Sequence, residues 1–245
     1  MFFRIEAISD RGKVRANNED HVFVAREVFT EGSRSVDIHL ENSIVAAIAD
    51  GMGGHKAGEI ASRLVLESLM LFAKTIDPDV LLERFQQKLN VWLNEIHHKL
   101  LAKGEADFSL KGMGTTLTGL FVGSKGAYVF NAGDSRTYVF QNQELKKITR
   151  DHTVGEASGF PHVRSNMLVN CIGAIRKPNI DVFDVTGYLK TGSIFLLCSD
   201  GLTDMLSENE IKEYLIKNDT RALVEEANRK GGRDNISVIT LRLEA

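Results

Sequence analysis

At 245 residues, 43% of them hydrophobic, the chain is long enough for one large domain with a substantial core. A net charge of −3 with both signs interspersed excludes a nucleic-acid binder held by bulk charge, and no segment approaches the ~20 uninterrupted apolar residues that span a bilayer. The opening Met1-Phe2-Phe3-Arg4-Ile5-Glu6 meets an acid before any long apolar run, and Cys171 and Cys198 are too few for a disulfide framework, so neither a signal peptide nor a membrane partner is expected and the setting is a reducing cytoplasm.

In chain order, residues 3–9 alternate as a strand, Asp10-Arg11-Gly12 turns the chain, and 15–20 form a polar loop before a strand at 21–25. A short strand near 36–39 and a buried one at 43–49 follow. Apolar residues then recur at helical spacing over 57–76. Asp77-Pro78 reads as the cap and first position of a second helix running to about Lys103. Strands are expected at about 114–123, 125–132, 135–140 and 144–149, with Gln141-Asn142 at a hairpin position. Residues 151–170 are polar with weak periodicity, and strands return near 179–186 and 193–198. The capping box Ser207-Glu208-Asn209-Glu210 opens a helix to about Lys217, and Asp219 caps a last helix closed by Gly231-Gly232. A strand at 235–243 ends the pattern. Antiparallel strands with segregated helices give an α+β layered domain over 1–245 with no internal boundary.

The chemistry concentrates at strand ends. Ile44-Val45-Ala46-Ala47-Ile48-Ala49 runs into Asp50-Gly51-Met52-Gly53-Gly54-His55; a second apolar strand runs into Asp200-Gly201; a third runs into Asp134; Asp20 and Asp234 each stand just before a strand. Any one of these reads equally as a turn, since Asp-Gly is a common turn pair. Together, carboxylates at the ends of several strands can gather on one sheet edge, where their mutual repulsion calls for a cation. All-oxygen ligation favours Mg²⁺ or Mn²⁺ over Zn²⁺; calcium stays open, although no EF-hand loop is present. Such a set can hold two ions about 3.5–4 Å apart, which activate a water and clamp a phosphoryl group. Arg15 is the candidate phosphate ligand, against the plainer reading of a solvated loop arginine.

These residues resemble the metal-dependent protein phosphatases (PPM, or type 2C) acting on phosphoserine and phosphothreonine. The resemblance rests on Arg15-Ala16-Asn17-Asn18-Glu19-Asp20, Asp50-Gly51-Met52-Gly53-Gly54-His55, Gly114-Thr115-Thr116, Gly133-Asp134-Ser135-Arg136, Asp151-His152-Thr153, Ser199-Asp200-Gly201-Leu202 and Gly232-Arg233-Asp234-Asn235-Ile236, in that order. Methionine at 52 looks like the compact bacterial branch, which often opposes Ser/Thr kinases. The resemblance implies an antiparallel β-sandwich flanked by helical layers. It implies that Asp50 bridges two Mn²⁺ or Mg²⁺ ions, with the Gly51 carbonyl on one. Asp200 and Asp234 would complete the first ion and Glu19 and Asp20 the second. Asp134 would belong to a weaker third site shared with Asp200, and Arg15 would bind the substrate phosphate. Thr115 and Thr116 are expected to support the core, and His21 and His152 to be structural.

Two departures matter. Eukaryotic relatives carry a histidine where Met52 stands, so His55, or a metal-bound water at the third site, is the candidate acid for the leaving alcohol. The flap segment, about 154–170, looks shorter than in bacterial relatives. The expected partners are phosphoprotein substrates and a cognate Ser/Thr kinase, with no nucleic acid and a monomeric enzyme. A catalytically silent phosphopeptide binder, a hydrolase of small phosphate esters and a nuclease remain competing readings, and the complete acidic set and balanced charge count against them.

Overall fold

The computed structural model describes residues 2–39, 43–53, 56–159 and 165–245. Five strands come first: β1 (Phe2–Asp10), β2 (Asp20–Val24), β3 (Glu27–Phe29), β4 (Gly32–His39) and β5 (Ile44–Met52). Helices α1 (Lys56–Ala73) and α2 (Leu82–Ala106) follow. Next are β6 (Gly114–Thr115), β7 (Leu117–Val122), β8 (Ala127–Ala132), β9 (Arg136–Gln141) and β10 (Glu144–Lys147). The remainder is α3 (Val154–Ser158), β11 (Asp181–Asp184), β12 (Ile194–Cys198), α4 (Asp200–Thr203), α5 (Glu208–Lys217), α6 (Thr220–Arg229) and β13 (Ile236–Glu244).

The strands form two antiparallel sheets. One has the order β10-β9-β12-β13-β1-β4, the other β11-β8-β7-β5-β2-β3 with β6 beside β5. Their facing sides share a core that includes Phe3, Ile5, Val22, Ile48, Leu120, Phe195 and Leu241. A second core lies under α1 and α2, where Ala61, Val65, Leu69, Phe85, Leu89 and Trp92 cover the outer side of the second sheet. A third lies under α5 and α6, with Ile211, Leu215, Leu223 and Val224 on Leu196 and Val238. This is the expected sandwich between helical layers. Double coverage explains why β2, β7, β8 and β12 are buried at every residue instead of alternating.

Several local expectations are corrected. The β2–β3 hairpin turns through Ala25 and Arg26, both at positive φ (52° and 69°). A type I′ turn usually announces itself with Asn or Gly, so β3 left no signal. The β9–β10 turn is Asn142-Gln143, one residue later than expected. The strand expected over 114–123 divides at Thr116, because β6 leaves β7 to pair with the end of β5.

Asp77 does not cap α2. Its carboxylate accepts from Asp79 N at 2.9 Å and its carbonyl from Val80 N at 3.0 Å, and the helix begins behind Leu81. The chain there serves as a tether: Pro78 O accepts from Ser124 N at 2.9 Å, and Val80 O accepts from the buried Tyr128 hydroxyl at 3.1 Å. Helix α3 was hidden in the polar 151–170 stretch, although Thr153 accepts from Glu156 N as an N-cap, a Thr-x-x-Glu signal present in the sequence.

Candidate metal centre

One end of the sandwich collects the start of β2, the end of β5, the β12–α4 junction and the residues leading into β13. Register places Asp20 directly opposite Asp50 across β2 and β5. In the other sheet, β12 and β13 pair up to Cys198 and Val238, so Asp200 and Asp234 emerge side by side. Gly201 permits this: a Cβ there would stand 2.0 Å from Asn235 O. The sheets are joined across the gap by Ser199, whose hydroxyl donates to Asp20 Oδ2 at 2.8 Å. Ser199 is the N-cap residue of α4 and would ordinarily turn its hydroxyl to that helix; here it makes no cap bond and orients an acid instead.

Backbone closeness shapes the opposite wall. A Cβ on Gly51 would lie 2.2 Å from Gly58 O, and one on Gly58 would lie 2.6 Å from Glu19 Oε2. The first turn of α1 therefore sits against the end of β5, with the Glu19 side chain laid over Gly58. Ser62 Oγ donates to Glu19 O at 2.6 Å and lies 2.9 Å from His21 Nδ1. Burial lowers the His21 pKa to about 4, in keeping with a structural role.

Asp50 is held from its backbone. Thr116 N and Thr115 Oγ1 both donate to Asp50 O at 2.8 Å, and Asp50 N donates to Thr116 Oγ1 at 3.1 Å. The two threonines are supports, as expected. Asn235 was not singled out, yet its side chain ties the site together. Its Oδ1 accepts from Glu19 N at 2.8 Å, and its Nδ2 donates to Arg11 O and Asn17 O at 2.8 and 3.0 Å. Bonds spanning more than 200 positions leave no periodic or local trace. Arg15 reaches the same place: its guanidinium donates to Asp234 Oδ2 at 2.6 Å and feels the charges of Glu19 and Asp50.

The carboxylates are electrostatically frustrated. Burial first, then the charges of Asp200 and Asp234, raise the Asp20 pKa to about 7 despite the Ser199 and Ser237 hydroxyls. Asp50 is raised well above the carboxylate range by burial and by Asp20, Asp200, Asp234 and Asp134. Burial and Asp234 lift Asp200 to about 6, partly offset by a hydrogen bond with Asp50. Asp134 is lifted to about 7 by burial and Asp200. Asp20 Oδ1 and Asp200 Oδ1 are buried with no hydrogen-bond partner among the described residues. Among the described residues no three side chains are already drawn onto one ion-sized point; the acids border a common space. Orphaned buried oxygens and mutually repelling hard donors fit divalent cations, which would satisfy both.

Beside this lies a corner where the charges are matched. Arg136 forks onto Asp151, with Nη2–Oδ2 at 2.6 Å and Nε–Oδ1 at 3.1 Å, and Lys147 adds a contact at 3.3 Å. His152 Nδ1 accepts from Gly133 N at 3.2 Å and from Asn170 Nδ2 at 2.6 Å, and its Nε2 faces Asp181 Oδ2 at 3.1 Å. These bonds fix the turn that carries Asp134, so His152 is structural. The base of the flap is pinned here by Val154 N to Met167 O and Val169 N to His152 O, both 2.9 Å. His55 lies outside the described residues, as do residues 160–164 of the flap.

Comparison with known proteins accords with this geometry. Residues 33–235 match the protein phosphatase 2C family. The serine/threonine phosphatase stp of Listeria monocytogenes is 32% identical over 246 residues, covering 94% of this chain and 92% of that protein. The crystal structure of the Mycobacterium tuberculosis serine/threonine phosphatase PstP/Ppp superposes with a TM-score of 0.79 at 32% identity, covering 100% of both chains. The catalytic domain of PstP in complex with two manganese ions gives 0.78 at 31% identity, covering 100% of this chain and 99% of that one. With the acids at the strand ends and the match spanning most of its length, the chain belongs to the protein phosphatase 2C family.

Proposed function

We propose that Asp20, Asp50, Asp200 and Asp234 hold two manganese or magnesium ions at which the chain hydrolyses phosphoserine and phosphothreonine esters on proteins. The observation that carries this reading is Asp20 opposite Asp50 across paired strands, with the charges of Asp200 and Asp234 bearing on Asp50 and with buried oxygens on Asp20 and Asp200 that no described residue satisfies. Family membership and the two manganese ions of PstP support it. Asp50, with the Gly51 carbonyl, Asp200, Asp234, Glu19 and Asp20, would hold the two ions, and Asp134 with Asp200 would hold a weaker third.

When bound, the ions supply Lewis-acid polarisation of the phosphoryl oxygens and lower the pKa of a bound water towards neutrality. The chain supplies positioning. Arg15 stands at the outer edge with its fork directed to the acids, and it is assigned two phosphate oxygens of the substrate. Ser199 and Asn235 fix Asp20 and the Glu19 backbone before substrate arrives, so little reorganisation accompanies reaction. Met52 has no proton to give, and His55 is assigned as donor to the leaving alcohol on its place in the sequence. A Ser/Thr kinase acting on the same phosphoproteins is the natural counterpart of a monomeric, cytoplasmic enzyme. No helix among the described residues is long and apolar enough to cross a membrane.

The test is hydrolysis of an aryl phosphate and of a phosphothreonine peptide with Mn²⁺ or with EDTA, beside Asp50→Asn. Turnover should require the metal and fall about a thousandfold in the variant, the size of several kcal/mol of lost charge stabilisation. Phosphopeptide binding with no turnover under any metal would instead favour a silent binder. Separately, His55→Ala should slow peptide hydrolysis far more than aryl phosphate hydrolysis, because a good leaving group needs no acid.

A further inference from the structure

Two segments bordering the outer edge of the centre, the loop behind β1 and the end of α6 with the turn that follows it, are rich in cations. Residues 11–18 contain Arg11, Lys13 and Arg15 and no acid; residues 227–233 contain Arg229, Lys230 and Arg233 and no acid, in a chain of net charge −3. Their backbones are locked together: Lys13 N donates to Gly232 O at 2.8 Å, and a Cβ on Gly12 would stand 2.2 Å from Asp234 O. Asn235 Nδ2 grips the first loop at Arg11 O and Asn17 O. Between those anchors Lys13, Val14 and Arg15 are presented to solvent on a fixed backbone.

The cations differ in their partners. Arg15 is on Asp234, Arg229 on Glu226 and Lys230 on Glu210. Lys13 and Arg233 are exposed and form no ion pair with the described residues; the charge of Arg233 bears on Asp204. Val14, next to both Lys13 and Arg15, is 67% exposed. Two solvent-facing cations and an apolar side chain thus stand beside the place assigned to the substrate phosphate. A polypeptide that offers its phosphate to Arg15 must lay its flanking residues across the surfaces bordering Arg15, and this loop pair is one of them.

We propose that Lys13 and Arg233 form a subsite for a second negative charge on the substrate, so that the preferred phosphoproteins carry an acidic side chain or a second phosphate within a few residues of the scissile one. This rests on the reading of the acids as the metal centre and of Arg15 as phosphate ligand. A carboxylate and a phosphate share the chemistry Lys13 recognises as a point charge, whereas the planar fork of Arg233 favours phosphate. Exposed pairs of this kind add modest affinity and steer encounter, and salt screens them over about 8 Å at physiological ionic strength.

The experiment uses the full chain with Mn²⁺ and a set of phosphothreonine peptides. A glutamate is walked across the three positions on either side of the phosphothreonine, against glutamine controls, and one peptide carries a second phosphothreonine. The readout is the ratio of kcat/KM for charged over neutral peptides. It should be roughly three- to tenfold at low salt, arise in KM, and shrink at 0.5 M salt. Lys13→Gln with Arg233→Gln should bring the ratio near one, and the double Glu variant should invert it. A wild-type ratio near one, or a ratio untouched by the double Glu variant, overturns the proposal. A preference for the second phosphate alone supports it and assigns the subsite to phosphate; a preference shared by glutamate supports it as a general anion subsite. Aryl phosphate hydrolysis by the wild-type enzyme, present with Mn²⁺ and absent with EDTA, is scored apart. Its failure would sink the phosphatase reading, whereas its success beside flat peptide ratios would sink the subsite alone.

Discussion

The acid-lined end of the sandwich and the corner built on Arg136, Asp151 and His152 lie close together and treat buried charge in opposite ways. At the corner every charge has an internal partner: a bidentate guanidinium on Asp151, a lysine beside it, and an imidazole bonded at both nitrogens. At the acidic end the charges oppose one another, and Asp20 Oδ1 and Asp200 Oδ1 have no donor among the described residues. The corner is complete as folded and contributes rigidity. The acidic end is destabilising until something from outside neutralises it, which suits the metal-holding role proposed for it.

Four measurements test this contrast. The largest effect is expected at the corner: Arg136→Ala leaves the Asp151 carboxylate mostly buried with Lys147 as its one remaining cation among the described residues. About 3–5 kcal/mol of stability should be lost, seen as a lower Tm that Mn²⁺ does not restore. Next, saturating Mn²⁺ should stabilise the wild-type protein by about 2.7 kcal/mol at a hundredfold excess over its Kd. Asp50→Asn should raise the metal-free Tm by removing one repelling acid and lose most of that metal-induced gain. A metal-free Asp50→Asn protein less stable than wild type would show that the acids are not frustrated.

Third, Gly58→Ala drives a methyl to 2.6 Å from Glu19 Oε2 and 2.8 Å from Met52 N. Overpacking there should cost about 1–3 kcal/mol. It should also weaken Mn²⁺ binding by calorimetry about tenfold, in the range seen when groups that orient a metal ligand are disturbed. The smallest effect is a slope with pH in EDTA. Asp20 and Asp134 titrate near 7 and Asp200 near 6 in the folded protein, above their unfolded value near 3.8. Between pH about 4 and 7 the folded state keeps protons that the unfolded chain has released. Their contribution to stability therefore falls as pH rises through that window, by up to about 1.4 kcal/mol per pH unit for each proton. Mn²⁺ should flatten or reverse the slope.

Much of this was legible in the sequence because strands are local. Apolar runs that end or begin at Asp20, Asp50, Asp134, Asp200 and Asp234 give both the sheets and the edge on which acids gather. The capping residues Ser207 and Asp219 set the starts of α5 and α6 as expected. What stayed hidden depends on distant partners or on unusual local chemistry. The Ala25-Arg26 turn adopts positive φ without Asn or Gly. Asp77-Pro78 has a helix-opening composition but is recruited to hold the β7–β8 hairpin. The cooperation of Ser199 with Asp20 and of Asn235 with Arg11, Asn17 and Glu19 exists only once the sheets have met. Gly58 carries no sign in the sequence that a carboxylate will lie across it.

The position of β13 has a consequence for how such an enzyme comes into being. It follows every other element in chain order yet runs between β12 and β1 inside its sheet, and Asn235 at its entrance grips a loop formed from the first twenty residues. A ribosome working from the amino end releases both helical layers before it releases that amide. A nascent chain, or one clipped ahead of Asp234, would lack both that acid and the strand that joins β12 to β1, so the acidic end is assembled only after β13 has been made.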